Sequence, residues 1–135
     1  LMKEFRAAVE AGDFAGLADL LADDVVFRSP VAFAPYTGKP IVAAILRGVG
    51  RVFTDFRYVR ELEAPNGSAL VFETAVDGVS LNGIDLIVLN DSGLISELTV
   101  MVRPLSATTA LAAAMGAQFP QIQAEAQVEA GEQPA

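Results

Sequence analysis

Between Phe56 and Arg103 the chain alternates short β-favouring runs with turn dipeptides, and this spacing restricts its fold more than any other feature. Phe56 to Leu62 reads as a strand, Asn66-Gly67 as a hairpin turn and Ala69 to Val76 as the returning strand. Two turn signals follow, Asp77-Gly78 and Asn82-Gly83, and then an apolar run from Ile84 to Leu89. Asn90-Asp91-Ser92-Gly93 turns again, and Leu94 to Arg103 makes a last strand closed by Pro104. Turns this short join antiparallel neighbours, so the second half of the chain is a meander.

One charge interrupts the apolar run Gly83-Ile84-Asp85-Leu86-Ile87-Val88-Leu89. An ionised carboxylate in such company costs several kcal/mol unless it is paired or takes up a proton. The position of the preceding turn decides its surroundings. A turn at Asp77-Gly78 gives a strand from Val79 to Leu89, with Leu81, Gly83, Asp85, Ile87 and Leu89 on one face. A turn at Asn82-Gly83, the stronger hairpin dipeptide, leaves Asp85 beside a loop.

Ahead of the meander the periodicity is helical. Residues 1–22 read as two short helices: Phe5, Ala8 and Val9 share a face of the first, and Gly12 stops it. Asp13 caps the second, which buries Leu17, Leu20 and Leu21. Asp23-Asp24 turns into a short strand, Val25 to Arg28, ended by Ser29-Pro30. Thr37-Gly38-Lys39-Pro40 starts a third helix that runs to about Val52. Leu105 to Phe119 has helical spacing again, and the Gln-, Glu- and Ala-rich end from residue 120 to 135 reads as a frayed helix or disordered. Helices first and strands afterwards, without βαβ alternation, predict an α+β fold with a mainly antiparallel sheet. The 135 residues fit one domain.

Composition narrows the chemistry. No Cys and no His excludes disulfides, thiolate catalysis, the Ser-His-Asp triad and most catalytic zinc sites. Acid–base work must come from Asp, Glu, Tyr, Lys or water. A net charge of −8 with scattered Lys and Arg repels phosphate backbones and anionic lipid, so neither nucleic acid nor membrane is expected as partner. The 53% hydrophobic content and mean hydropathy of +0.43 point to an apolar cavity, an apolar dimer interface or both. No basic segment followed by an apolar stretch opens the chain, and the expected location is cytoplasmic.

Three runs, AGDFAGLADLLADDVVFRSPV, YTGKPIVAAIL and GIDLIVLNDSGLISELTVMVRP, resemble nuclear-transport-factor-two-like proteins in their order and spacing. Within that superfamily they are most similar to the SnoaL-like and ketosteroid-isomerase-like branch. The resemblance covers roughly residues 3 to 104 and implies a SnoaL-like domain over residues 1–119. Its implied fold is a conical, cystatin-like α+β barrel, a curved sheet wrapped around N-terminal helices with an apolar pocket.

The isomerase site implied by the resemblance has an aspartate base, a tyrosine, and a protonated aspartic acid that donates a hydrogen bond to an oxyanion. Asp85 matches the protonated acid. The base position, just before the proline after the first strand, is Ser29, and the tyrosine position on the first helix is Phe5. Serine without an activating partner is no general base and Phe has no proton to offer, which argues against steroid isomerisation by the family mechanism. Polyketide-cyclase relatives often use a His, absent here, and epoxide-hydrolase relatives need an Asp-Arg-Asp set where Leu70, Phe72 and Val100 stand.

By the family pattern the Asp85 face looks into the pocket, with Leu70, Phe72, Thr74 and Val76 and with Leu98, Val100 and Val102. Desolvation there should raise the Asp85 pKa. Tyr58, inward with Phe56, and Tyr36, on a loop at the pocket mouth, are the only phenols. The candidate catalytic residues are therefore Asp85 and Ser29. The candidate ligand contacts are Tyr58, Tyr36, Phe5, Phe27, Leu70, Phe72, Thr74, Ile87, Leu98, Val100 and Val102. The opposite sheet face (Val71, Glu73, Leu86, Val88, Glu97, Thr99, Met101 and Arg103) reads as a homodimer interface with a few ion pairs. The expected function is binding of an apolar small molecule, with cofactor-free isomerase-, cyclase- or dehydratase-type proton transfer at Asp85. No metal or cofactor is expected. The alternative is a non-catalytic carrier or interaction module on the same scaffold, and a rearranged epoxide hydrolase is third.

Overall fold

Helix α1 (Met2–Ala11) buries Met2, Phe5 and Ala8 along one side, as an amphipathic helix must. Gly12 ends it at φ 69°, a left-handed conformation that is least costly for glycine. The Asp13 carboxylate then accepts a hydrogen bond from the Gly16 N–H at 2.9 Å and caps the one-turn helix α2 (Phe14–Ala18). The computed structural model describes residues 2–131.

Strand β1 (Leu21–Arg28) starts four residues earlier than the sequence suggests, because Asp23 and Asp24 are exposed members of the strand. A pairing irregularity between Leu21 and Val26 accommodates them. After β2 (Tyr36–Thr37) comes α3 (Lys39–Val52), with Pro40 in its first turn and Val42, Ala43, Ala44, Ile45 and Gly48 buried. Strands β3 (Thr54–Ala64), β4 (Gly67–Val76), β5 (Val79–Leu89) and β6 (Ile95–Arg103) form the meander. The sheet order is β2-β1-β6-β5-β4-β3, antiparallel throughout except where β1 meets β6.

The sheet is curved and does not close, so the expected barrel is an open one. The hollow is filled by more than the N-terminal helices, because α3 and the last helix, α4 (Leu105–Glu129), pack on each other and against the strands. In place of the fraying or disorder expected from residue 120, α4 runs on to Glu129, and Ile122 is fully buried. Residues 132–135 of that expected tail lie outside the described residues.

The turn between β4 and β5 is Asp77-Gly78, with Val76 paired to Val79. Both turn residues have positive φ, 48° and 77°, the twist that suits tightly joined antiparallel strands. Asn82-Gly83 lies inside β5 instead. Asn82 is held there by its Nδ2, which donates to the Phe72 carbonyl at 3.0 Å. The β3–β4 turn is Pro65-Asn66, one residue before the expected Asn66-Gly67, since Gly67 already pairs with Ala64. A Cβ on Gly67 would lie 2.1 Å from the Ile87 carbonyl oxygen, so a side chain cannot fit there.

Candidate functional site

Alternation along β4 and β5 aims one side of each strand into the hollow. Ser68, Leu70, Phe72, Thr74 and Val76 are buried on β4, as are Leu81, Gly83, Asp85 and Ile87 on β5. Leu70, Asp85 and Val100 make one row across three strands, and Phe72, Gly83 and Val102 make the next. Gly83 is a gap in that second row. A Cβ there would come within 2.4 Å of Phe72 Cζ, so the Phe72 ring leans over the glycine.

That ring belongs to an aromatic cluster from the start of β3. Phe56 stacks on Phe72 at 5.0 Å between centroids, and Tyr58 meets Phe56 edge-on at 4.9 Å and Phe72 edge-on at 6.4 Å. Held between them, the Tyr58 hydroxyl reaches across β4 to β5 and donates to Asp85 Oδ2 at 2.7 Å. Both residues are buried, with 7% of Tyr58 and 8% of Asp85 exposed. The one carboxyl in the apolar run is therefore paired.

Burial raises the Asp85 pKa to about 7, while the hydrogen bond from Tyr58 opposes the rise. Near neutral pH the group is therefore divided between acid and carboxylate. The Tyr58 phenol is pushed far above its usual value, first by burial and then by the charge of Asp85 and the bond to it. The Glu10 charge adds to this, and the Arg6 guanidinium, 5.6 Å from the Tyr58 ring centroid, works against it. Tyr58 stays a neutral donor at any ordinary pH.

The pair faces a cavity of about 540 Å³. Of the expected contacts, Phe5, Phe27, Tyr36, Tyr58, Phe72, Leu98 and Val100 line it, together with Asp85 and Ser29. Leu70, Ile87, Thr74 and Val102 do not. Leu70 and Ile87 are packed into the core, Thr74 Oγ1 donates to the Thr54 carbonyl at 2.7 Å, and Val102 sits partly buried against the core. Strand parity selects a face of the sheet, but the helices packed over that face decide which part stays open. Tyr36 lies on β2 between Phe27 and Phe119 and leaves its expected loop. Ser29 Oγ accepts from the Val31 N–H at 3.0 Å, which makes it a turn cap at the rim.

Lining residues from several elements escaped the sequence reading, among them Phe14 and Leu17 on α2 and Ile45, Leu46, Val49 and Gly50 on α3. Glu10 on α1 stands exposed at the mouth. Helix α4 contributes Leu111, Ala112, Met115, Gly116 and Phe119, whose helical spacing is visible in the sequence but whose packing partner is not. Among the described residues no group of three or more carboxylates is arranged to hold a metal ion, and no helix is long and apolar enough to cross a membrane.

An open, curved α+β sheet with helices in its hollow is the architecture of the cystatin-like class. The model of the SnoaL-like domain matches residues 2–98, and the chain belongs to that family. It is similar to a steroid delta-isomerase from Pseudomonas aeruginosa, 40% identical over 91% of each chain with a TM-score of 0.86. A bacterial protein with a cystatin-like fold from Silicibacter pomeroyi is 35% identical over 92% of each chain, with a TM-score of 0.83. An NTF2-like protein of unknown function from Cytophaga hutchinsonii shares the fold, with 21% identity over 76% of this chain and 87% of the other and a TM-score of 0.61. No curated protein matches the chain.

Proposed function

We propose that this chain binds an apolar small molecule bearing a carbonyl or hydroxyl oxygen, and that Asp85 exchanges a proton or a hydrogen bond with it. The observation that carries this reading is the buried 2.7 Å bond from the Tyr58 hydroxyl to Asp85 Oδ2 at the wall of the cavity. Tyr58 engages one carboxyl oxygen and leaves the other for a ligand. Protonated, Asp85 donates to a ligand oxygen; ionised, it accepts a proton from the ligand. A pKa of about 7 populates both forms under ordinary conditions. The 40% identity to a steroid delta-isomerase supports an isomerase-type reaction on a steroid-like ligand. The phenol on this reading comes from Tyr58 on β3 instead of α1, where Phe5 stands, and Asp85 itself is the acid–base group because Ser29 is a turn cap.

The test is a carbon-detected NMR titration of Asp85 with and without a steroid ketone. The expected midpoint lies near 7 and shifts when the ketone binds. A midpoint near 4 that no ligand moves would sink the reading. A second reading, a non-catalytic carrier, is favoured by the loss of functional groups at Phe5 and Ser29. The same ketone incubated in heavy water separates the two, since a carrier binds it without exchanging its carbon-bound hydrogens. On either reading the outer sheet face, with Leu86 and Met101 exposed, is the contact between two copies of the chain.

A further inference from the structure

Between Arg28, the last residue of β1, and Tyr36, the first of β2, the chain reads Ser29-Pro30-Val31-Ala32-Phe33-Ala34-Pro35, six apolar residues in a row after the serine. Phe is among the residues most often buried, yet Phe33 is 103% exposed. Val31 is exposed as well. Among the described residues, the only hydrogen bond made from Pro30 to Ala34 is the one from the Val31 N–H to Ser29 Oγ. At the far end the Tyr36 ring sits between Phe27 and Phe119, with centroids 6.4 and 5.7 Å away. The segment is held at its two ends and not along its length.

Both ends belong to the cavity. Ser29, Pro30 and Val31 line it, as does Tyr36. Phe33 follows Val31 by two residues and precedes Tyr36 by three, so its Cα lies within about 7 Å of one lining residue and about 11 Å of the other. The residues on either side of it are alanines, whose short side chains leave the tip free to turn while the ends stay in place. Leu86 and Met101 of the outer sheet face do not line the cavity, so the loop is not continuous with the surface assigned to the contact between copies. An anionic bilayer is a poor occupant of this loop in a chain of net charge −8.

We propose that the loop from Pro30 to Pro35 is a lid, and that Phe33 folds over the cavity mouth onto a ligand bound inside. An apolar ligand supplies the surface that the rest of the chain does not offer this ring, and the contact removes apolar area of both from water. The proposal takes from the functional reading only that an apolar molecule enters the cavity. It adds a ligand contact and the route of entry.

The chain has no Trp, so Phe33→Trp puts a single indole at the tip of the lid. On titration with a steroid ketone its emission should move to shorter wavelength, and its quenching by acrylamide should fall at least twofold. Val128→Trp, at an exposed α4 residue that does not line the cavity, should show neither change. Phe33→Ser should weaken the ketone about tenfold in equilibrium dialysis, the loss of one buried aromatic contact. It should leave thermal unfolding of the protein alone unchanged, because the ring is fully exposed. With the ketone bound, an unmoved emission or wild-type affinity in Phe33→Ser overturns the lid. A lowered unfolding temperature in Phe33→Ser also overturns it, since the ring then packs in the fold. So does an indole that is already shielded without ketone, in step with dimer formation in sedimentation, which puts Phe33 between two copies. Wild type that fails to bind the ketone overturns the functional reading, and the same variants then judge the lid with the neutral apolar dye Nile red. Wild type that binds neither compound overturns both.

Discussion

Tyr58 and Asp85 sit on strands that are not neighbours, and their hydrogen bond spans the intervening β4. Adjacent strands lie about 4.8 Å apart in a flat sheet, so contact across two spacings needs a long side chain and a curved sheet. The pKa of Asp85 gives this pair a signature. Raised to about 7 from the ordinary 3.8, the group holds its proton more tightly in the folded chain. Its contribution to stability is complete below about pH 4 and is lost as pH rises through about 7, a change on the order of 4 kcal/mol. Asp85→Asn cannot ionise, so its stability relative to wild type should increase from pH 5 to pH 8 in urea unfolding; an equal difference at both pH values would refute the assignment. Tyr58→Phe removes the bond that holds the Asp85 pKa down. Its carboxyl should titrate higher than in wild type by NMR, with about 1–3 kcal/mol lost at pH 8, where the unpaired carboxylate is buried. An unmoved midpoint would mean that the bond does not form in solution.

Strand β5 is the element on which the site depends, and Gly83 is its most sensitive position. Phe72 occupies the space above it, and a Cβ added at this residue would lie 2.9 Å from the Met101 carbonyl oxygen. Gly83→Ala therefore displaces the Phe72 ring, which in turn supports Phe56 and Tyr58. The expected cost is about 1–3 kcal/mol in urea unfolding, with a shift in the Asp85 titration. Wild-type stability would show that Phe72 is not seated over Gly83. The same position shows why the hairpin is ambiguous in sequence. Asn-Gly is the stronger local turn signal, yet here both residues serve cross-strand contacts to Phe72. Asp77-Gly78 makes the turn because it gives β4 and β5 their full pairing, from Gly67 with Val88 to Val76 with Val79.

At the scale of the molecule, the two faces of the sheet have different tasks. The concave face holds the cavity; the convex face leaves Val59, Leu62, Leu86 and Met101 between 37% and 61% exposed. Its ion pairs, Arg57–Glu73 at 2.8 Å and Arg28–Glu97 at 2.7 Å, are exposed and worth at most about 1 kcal/mol each. Apolar exposure of this kind predicts a homodimer at micromolar concentration in sedimentation equilibrium, weakened by Met101→Glu. A wild-type monomer under those conditions would leave the outer face without the assigned role.

The sequence by itself determined the order of helices and strands apart from the short β2, the inward parity of Asp85 once the turn is placed, and the absence of His and Cys chemistry. These follow from local rules: residue periodicity, turn dipeptides and the inventory of side chains. The SnoaL-like resemblance likewise rests on short runs whose residues are adjacent in the chain. Only the tertiary structure decided that Tyr58 pairs with Asp85, that Leu70, Thr74, Ile87 and Val102 lie off the cavity, and that α4 walls it. The physical reason is common to all three. Sheet curvature and helix packing set distances between residues far apart in sequence, and no period of 2 or 3.6 residues encodes them.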